Sequence, residues 1–162
     1  MSKGEWLFTL GLVLLAVGGA LAQFVMIGLI GCLLLLAAWM CFVMGAAFVG
    51  DRKSGTWLNA AGSVLVGAAG LGLAATIFGL TNIPASIAVE RMRSLPPQSY
   101  ATDGLAWTSA LAVAATLFAV GLRMTAAFSW WRCVAWALAT MATAPVAVLV
   151  FDQLAPLWPL TA

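Results

Sequence analysis

Few residues of this sequence are suited to acid–base, nucleophilic or metal chemistry. The 162-residue chain contains seven lysines and arginines, five aspartates and glutamates, three cysteines and no histidine. Without histidine there is no imidazole ligand for haem, zinc or copper. Cys32, Cys41 and Cys133 form no CxxC pair, so we interpret them as small apolar side chains rather than as a thiol–disulfide relay. We therefore expect no metal, no cofactor, no catalytic residue and no enzymatic activity from this chain alone.

The charged residues are confined to the segments between long apolar stretches. They are Lys3, Glu5, Asp51, Arg52, Lys53, Glu90, Arg91, Arg93, Asp103, Arg123, Arg132 and Asp152. Ionisable groups within a membrane usually mark ion paths or proton relays. Their absence from the apolar stretches argues against a proton-coupled carrier or pump.

The overall composition indicates an integral membrane protein. Apolar residues make up 64% of the chain and charged residues 7%, whereas a soluble domain is roughly 45–50% apolar and about a quarter charged. This balance excludes a soluble globular protein, a disordered chain and a nucleic-acid binder. We expect residues 1–162 to form a single helical bundle in the lipid bilayer, since lipid requires every backbone polar group to be satisfied internally.

Four polar interruptions divide the chain into apolar runs at about 6–22, 24–49, 56–80, 105–122 and 133–151. Spanning a bilayer takes about 20 residues as a helix. Joined as one helix, the first two runs would be about 66 Å long, which is about twice the hydrocarbon thickness of a bilayer. A tight hairpin is therefore expected between Gly18 and Gly28. The sequence thus predicts an all-α, polytopic protein with five transmembrane helices. Four would remain if the first run were a signal peptide cleaved after Ala22.

The positive charges predict the orientation of the chain. With five spans, Lys3, Arg52, Lys53, Arg123 and Arg132 lie on one side, and Arg91 and Arg93 on the other. The positive-inside rule then places the N-terminus in the cytoplasm and the C-terminus outside. We interpret the location as a bacterial inner membrane.

The third run carries a line of small and polar residues at helical spacing. Asn59, Ser63, Gly67, Gly70 and Ala74 share one face, and such residues allow close helix packing in lipid. Packing within the bundle explains this face. The sharper hypothesis is that Asn59, Ser63, Gly67 and Gly70 bind a partner subunit.

The segment between the third and fourth runs is the only sizeable extramembrane element that the runs leave. Its pattern predicts one short interfacial helix, with Asn82 as the cap, Pro84 in the first turn and Pro96-Pro97 as the stop. The segment is either a lid on the bundle or a contact surface. In the second case the residues expected to bind a partner are Arg91, Arg93, Tyr100 and Asp103.

Three functional hypotheses follow from these features. The first is a non-catalytic accessory subunit or assembly factor of a larger membrane protein complex, whose partners are other membrane subunits. The alternative is a small channel or carrier for a neutral or lipid-like solute, working as a homo-oligomer. The third is a lipid-modifying enzyme that uses Glu90, Arg91, Arg93 and Asp103 at the outer surface.

Overall fold

The computed structural model describes residues 2–24, 27–49, 56–96, 98–125 and 128–156 of the chain. Its helices are α1 (Lys3–Leu21), α2 (Gly28–Val49), α3 (Thr56–Met92), α4 (Ala101–Thr125) and α5 (Trp130–Leu154). Each of the five is long and apolar enough to cross a membrane. The chain is therefore an all-α, integral membrane protein, and the five spans predicted from the apolar runs are confirmed.

The helix ends agree with the sequence signals at the start of the chain. Ser2 and Glu5 form a capping box at the start of α1, in which the Glu5 N–H donates to the Ser2 hydroxyl at 3.2 Å and the Ser2 N–H donates to the Glu5 carboxylate at 2.7 Å. The break between Leu21 and Gly28 confirms the hairpin expected in this region. The turn with Arg52 and Lys53 lies outside the described residues.

Helices α1 and α2 form an antiparallel pair in close contact. Gly4, Gly11 and Gly18 recur every seven residues on α1 and face α2. A methyl group at Gly4 would lie 2.8 Å from the Gly45 carbonyl oxygen, and one at Gly31 would lie 2.2 Å from the Ala22 nitrogen. Because these glycines have no Cβ atom, the two backbones approach closely, as is common between membrane helices.

Helices α3 and α4 form a second antiparallel pair of the same kind. A methyl group at Gly62 would lie 2.9 Å from the Gly121 carbonyl oxygen, and the indole of Trp107 covers Gly79. Helix α5 packs against α1, α3 and α4. The bundle thus consists of two hairpins and one additional helix.

Aromatic rings join the hairpins in the centre of the bundle. The Phe118 ring lies 5.7 Å from Phe8 and 5.3 Å from Phe42, and the Phe8 ring lies 5.4 Å from Trp136. All three pairs are edge-to-face, an arrangement that aromatic quadrupoles favour. Because these residues belong to α1, α2, α4 and α5, the cluster fixes four helices against one another.

The prediction of a separate short helix beginning at Asn82 is not what the structure shows. Residues 82–92 are the last three turns of α3, which continues through Pro84, so Asn82 caps nothing. A proline removes one intrahelical hydrogen bond, and on either side of Pro84 the side chains of Thr81 and Ala85 are buried. The packing of these two side chains keeps the helix continuous at Pro84. That the segment lies in the membrane interface remains a prediction.

The two ends of the bundle differ in character. We call the end that carries Lys3, Thr125 and Trp130 the base, and the end that carries Leu21, Met92 and Ala101 the top. Four exposed tryptophans are located at the base: Trp6, Trp57, Trp130 and Trp131. About 33 Å of α3 separates Trp57 from Gly79, which is close to the hydrocarbon thickness of about 30 Å. Residues 80–92 lie beyond this length, at the top end of α3.

Candidate functional site

A polar junction ties the α1–α2 turn to α3 near the top of the bundle. The fully buried Thr81 hydroxyl lies 3.0 Å from the Gly19 carbonyl oxygen of α1 and 2.9 Å from the Ile77 carbonyl oxygen of its own helix. The Gln23 side-chain amide donates to Thr81 Oγ1 at 3.0 Å and to the Phe78 carbonyl oxygen at 3.1 Å. Gln23, an interruption of the apolar runs in the sequence, thus has a structural partner across the bundle.

Next to this junction is an open cleft of about 360 Å³, which we call the top cleft. Its walls come from the α1–α2 turn, the last turns of α3 and the α3–α4 loop. It is lined by Gln23, Asn82, Ala85, Ser86, Val89, Glu90, Gln98 and Tyr100. Six of these eight residues are polar, in contrast to the apolar grooves between α1 and α5 and between α3 and α4.

Glu90 holds the α3–α4 loop against the end of α3. Its two carboxylate oxygens accept hydrogen bonds from the Tyr100 hydroxyl and, at 3.4 Å, from the Gln98 backbone N–H. Its backbone carbonyl accepts from the Leu95 N–H at 3.0 Å. One residue therefore fixes three points of the loop, and the Glu90 carboxylate faces the cleft in a defined position.

The bond between Tyr100 and Glu90 also affects the ionisation of the phenol. It raises the pKa of Tyr100 above its ordinary value of 10.0, because the hydroxyl proton is shared with a carboxylate and because ionisation would place a second negative charge beside Glu90. A raised pKa for an acid means that the neutral form is favoured in the folded state. The contact is thus complete below pH 10 and is lost as the pH rises through the raised pKa.

The structure separates the predicted partner-binding residues into two groups. Gly70 of α3 packs under the rings of Phe42 and Trp39, and the Gly67 carbonyl oxygen accepts a hydrogen bond from the Trp39 indole at 3.0 Å. These two glycines therefore contact α2 of the same chain, which favours packing within the bundle for this part of the face. Asn59 and Ser63, further towards the base, are half-buried.

The second group of predicted residues is located at the top. Arg91, Arg93 and Asp103 are exposed, whereas Tyr100 lines the top cleft. The first three are therefore accessible to a partner, and binding by them stays a prediction. Glu90 was predicted only as part of the lipid-modifying-enzyme hypothesis, and Gln23 was not predicted as a site residue. A lone glutamine between two apolar runs was the available signal for Gln23, and nothing in the spacing indicated that Gln98 and Tyr100 meet Glu90.

The interior of the bundle contains polar groups that are already hydrogen-bonded. In the part of the chain that the structure describes, the buried polar side chains are Thr76, Thr81, Thr125, Thr140 and Thr143. Each hydroxyl contacts a backbone carbonyl oxygen of its own helix, at distances from 2.7 Å for Thr140 to 3.0 Å for Thr76. Within the same ranges no three cysteine or carboxylate side chains lie together as metal ligands would.

Comparison of the chain with protein-family models, curated proteins and solved structures gives no match.

Proposed function

We propose that this chain is a non-catalytic subunit or assembly factor of a larger membrane protein complex. The observation that carries the proposal is the bundle interior. The buried threonines that the structure describes use their hydroxyls on backbone carbonyls, and the centre is filled by phenylalanine rings. Within the described residues the buried core consists of apolar side chains and these threonines, which supports a function performed by the outer surfaces.

One outer surface has the character of a helix-docking face. An open groove of about 410 Å³ runs between α3 and α4 and is lined mostly by small residues, among them Ala68, Gly72, Ala75, Ala110 and Ala114. Small residues allow a neighbouring transmembrane helix to approach closely. At the top, the exposed Arg91, Arg93 and Asp103 supply charges that a partner domain can pair with.

The experiment is purification of the tagged chain from native membranes in a mild detergent, with quantification of co-purifying proteins. We expect a membrane protein partner at stoichiometric level. Ala75→Leu, which fills the α3–α4 groove, should reduce its recovery several-fold, while Ala60→Leu, at an exposed alanine outside the groove, should not. Recovery of a monodisperse single protein without a partner would contradict the proposal.

The alternative is a homo-oligomeric channel or carrier for a neutral or lipid-like solute. Because the described interior contains no polar path, a conduit would have to form between copies of the chain. A homo-oligomer that supports solute flux in liposomes, without a second protein, would favour this alternative.

For the location we propose a bacterial inner membrane, with the base in the cytoplasm and the top outside. The support is the distribution of positive charge in the sequence, five against two.

A further inference from the structure

We propose that the top cleft binds a primary ammonium group, carried either by a lipid headgroup of the ethanolamine type or by a free small amine. The proposal is independent of the proposed function, because it concerns a ligand of this chain and not a protein partner. It rests on the charge of the cleft, on the hydrogen-bonding groups in its wall and on its level in the membrane.

The charge of the cleft is negative. Glu90 is the only charged residue among the eight that line it. Tyr100 and the Gln98 N–H each occupy one carboxylate oxygen. Since each carboxylate oxygen can accept two hydrogen bonds, Glu90 is held in place and still has acceptor capacity for a ligand. A single carboxylate is too few for a divalent metal ion, which requires several oxygen ligands.

The neighbouring groups add acceptors and an aromatic ring. Both Nε2 protons of Gln23 are directed at α3, so its oxygen Oε1 is the group with which this amide can meet a ligand. Asn82 Oδ1 lies 3.4 Å from the Ser86 hydroxyl and has a second lone pair. Tyr100 also lines the cleft, and the face of a tyrosine ring attracts cations. Carboxylate, amide oxygens and ring together suit a cation that is rich in N–H donors.

The level of the cleft suits a lipid headgroup. It lies along residues 82–90 of α3, just beyond the Gly79–Trp107 contact, where the length of α3 leads us to expect the membrane interface. Arg91 and Arg93 are exposed at the same end and are not part of the cleft lining. They are therefore available to a phosphate beside the cleft, and a zwitterionic headgroup carries both charges. A free amine would bind in the cleft without contacting these two arginines.

The test uses the unaltered protein in detergent micelles and measures lipid retention by native mass spectrometry. The probes are phosphatidylethanolamine, phosphatidylcholine and phosphatidylglycerol with identical acyl chains. Phosphatidylcholine retains the positive charge without N–H donors, and phosphatidylglycerol lacks the cation. We expect phosphatidylethanolamine to be retained about tenfold over both, because only its ammonium group carries N–H donors for the Glu90 carboxylate. Free ethanolamine is added in a second arm as competitor.

The two arms distinguish the two sources of the ammonium group. Lipid preference with weak competition by ethanolamine supports a headgroup site. Saturable ethanolamine binding without lipid preference supports a free amine. Equal retention of the three lipids together with no ethanolamine binding overturns the proposal.

Variants test whether Glu90 and Tyr100 form the site. Glu90→Gln should reduce retention about tenfold, whereas Asp152→Asn, which removes an exposed carboxylate of α5 outside the cleft, should leave it unchanged. If Glu90→Gln unfolds the loop, Tyr100→Phe and Tyr100→Leu provide a second comparison, because the first keeps the ring and the second removes it. Loss of lipid retention in Tyr100→Leu but not in Tyr100→Phe supports the site. Full retention in a folded Glu90→Gln protein overturns it.

Discussion

At the residue scale, Thr81 is the point where three parts of the chain meet. Its hydroxyl contacts the Gly19 and Ile77 carbonyl oxygens and accepts a hydrogen bond from Gln23, and the side chain has no exposed surface. Removing the hydroxyl leaves the partly buried Gln23 amide with one acceptor fewer. That loss costs free energy because a partly buried donor regains hydrogen bonds to solvent only in part.

Thr81→Val should lower the free energy of unfolding by about 1–3 kcal/mol, since valine has the same shape without the hydroxyl. Thr116→Val is the matched control, because the exposed Thr116 bonds only to the Ala112 carbonyl oxygen of its own helix at 2.8 Å. Denaturation in mixed micelles measures both. Equal stability of the two variants would contradict the role given to Thr81.

Ser94 has a positive φ of 52°, which is unusual for a residue other than glycine. It ends α3 in a turn where the Ser94 N–H donates to the Arg91 carbonyl oxygen at 3.3 Å and the Leu95 N–H donates to that of Glu90 at 3.0 Å. This pattern is the Schellman motif, whose left-handed position is usually glycine.

Ser94→Gly should raise the free energy of unfolding by roughly 0.5–1 kcal/mol, because glycine adopts this conformation without the steric cost of a Cβ. Ser99→Gly, at an exposed loop serine without positive φ, should be neutral or slightly destabilising. Thermal unfolding of the purified variants distinguishes the two. A Ser94→Gly protein less stable than the parent would show that the serine hydroxyl is needed.

At the scale of elements, backbone contact between glycines determines how the α1–α2 hairpin closes. The seven-residue spacing of Gly4, Gly11 and Gly18 was visible in the sequence, and it places all three on one face of a helix. The face highlighted from sequence was instead that of α3. It contacts α2 through Gly67 and Gly70, so the packing expected of small residues occurs there as well.

Gly31→Ala should destabilise the bundle by about 1–3 kcal/mol through overpacking, because its methyl group would meet backbone atoms of Ala22 that cannot rotate away. Gly67→Ala is the control, since its methyl group would lie 3.5 Å from the nearest atom, in Val43. The midpoint of thermal aggregation in detergent reports the difference. Equal midpoints for the two variants would contradict the close backbone contact between α1 and α2 at Gly31.

Helix α3 shows where pattern and packing disagree. Its polar residues from Thr81 onwards and Pro84 indicated a new element, whereas burial of Thr81 and Ala85 keeps one helix over Thr56–Met92. Local signals predict a proline break correctly only where the flanking turns are free of tertiary contacts.

At the scale of the whole molecule, five spans place the base and the top on opposite sides of the membrane. The charge distribution supports the proposal that the base faces the cytoplasm. Ser129 at the base and Ser99 at the top are both exposed, so cysteine labelling can test this assignment.

In a background with Cys32, Cys41 and Cys133 replaced by alanine, Ser99→Cys should react with a membrane-impermeant maleimide on intact cells. Ser129→Cys should react only after permeabilisation if the base faces the cytoplasm as proposed. The cysteine-free protein is the control. Labelling of both positions from the same side would contradict an odd number of spans between them and the proposed orientation.

The candidate site was only partly predictable. Tyr100 was selected from the loop composition, and it does line the top cleft. Its bond to Glu90, and the position of Gln23 across the same cleft, join residues up to 77 positions apart in the chain. Helical periodicity carries no information about such pairs, because it describes neighbours within one helix.

The apolar runs of the sequence were enough to predict the lipid environment of this protein and the number of its helices. Apolar runs about 20 residues long must be helical in lipid, where each backbone group needs an internal partner. Only the tertiary structure decided which faces of those helices are covered and that Gln23, Glu90 and Tyr100 share one cleft. The physical reason is that lipid is as apolar as the side chains, so helix pairing depends on shape and hydrogen bonding and not on hydrophobicity.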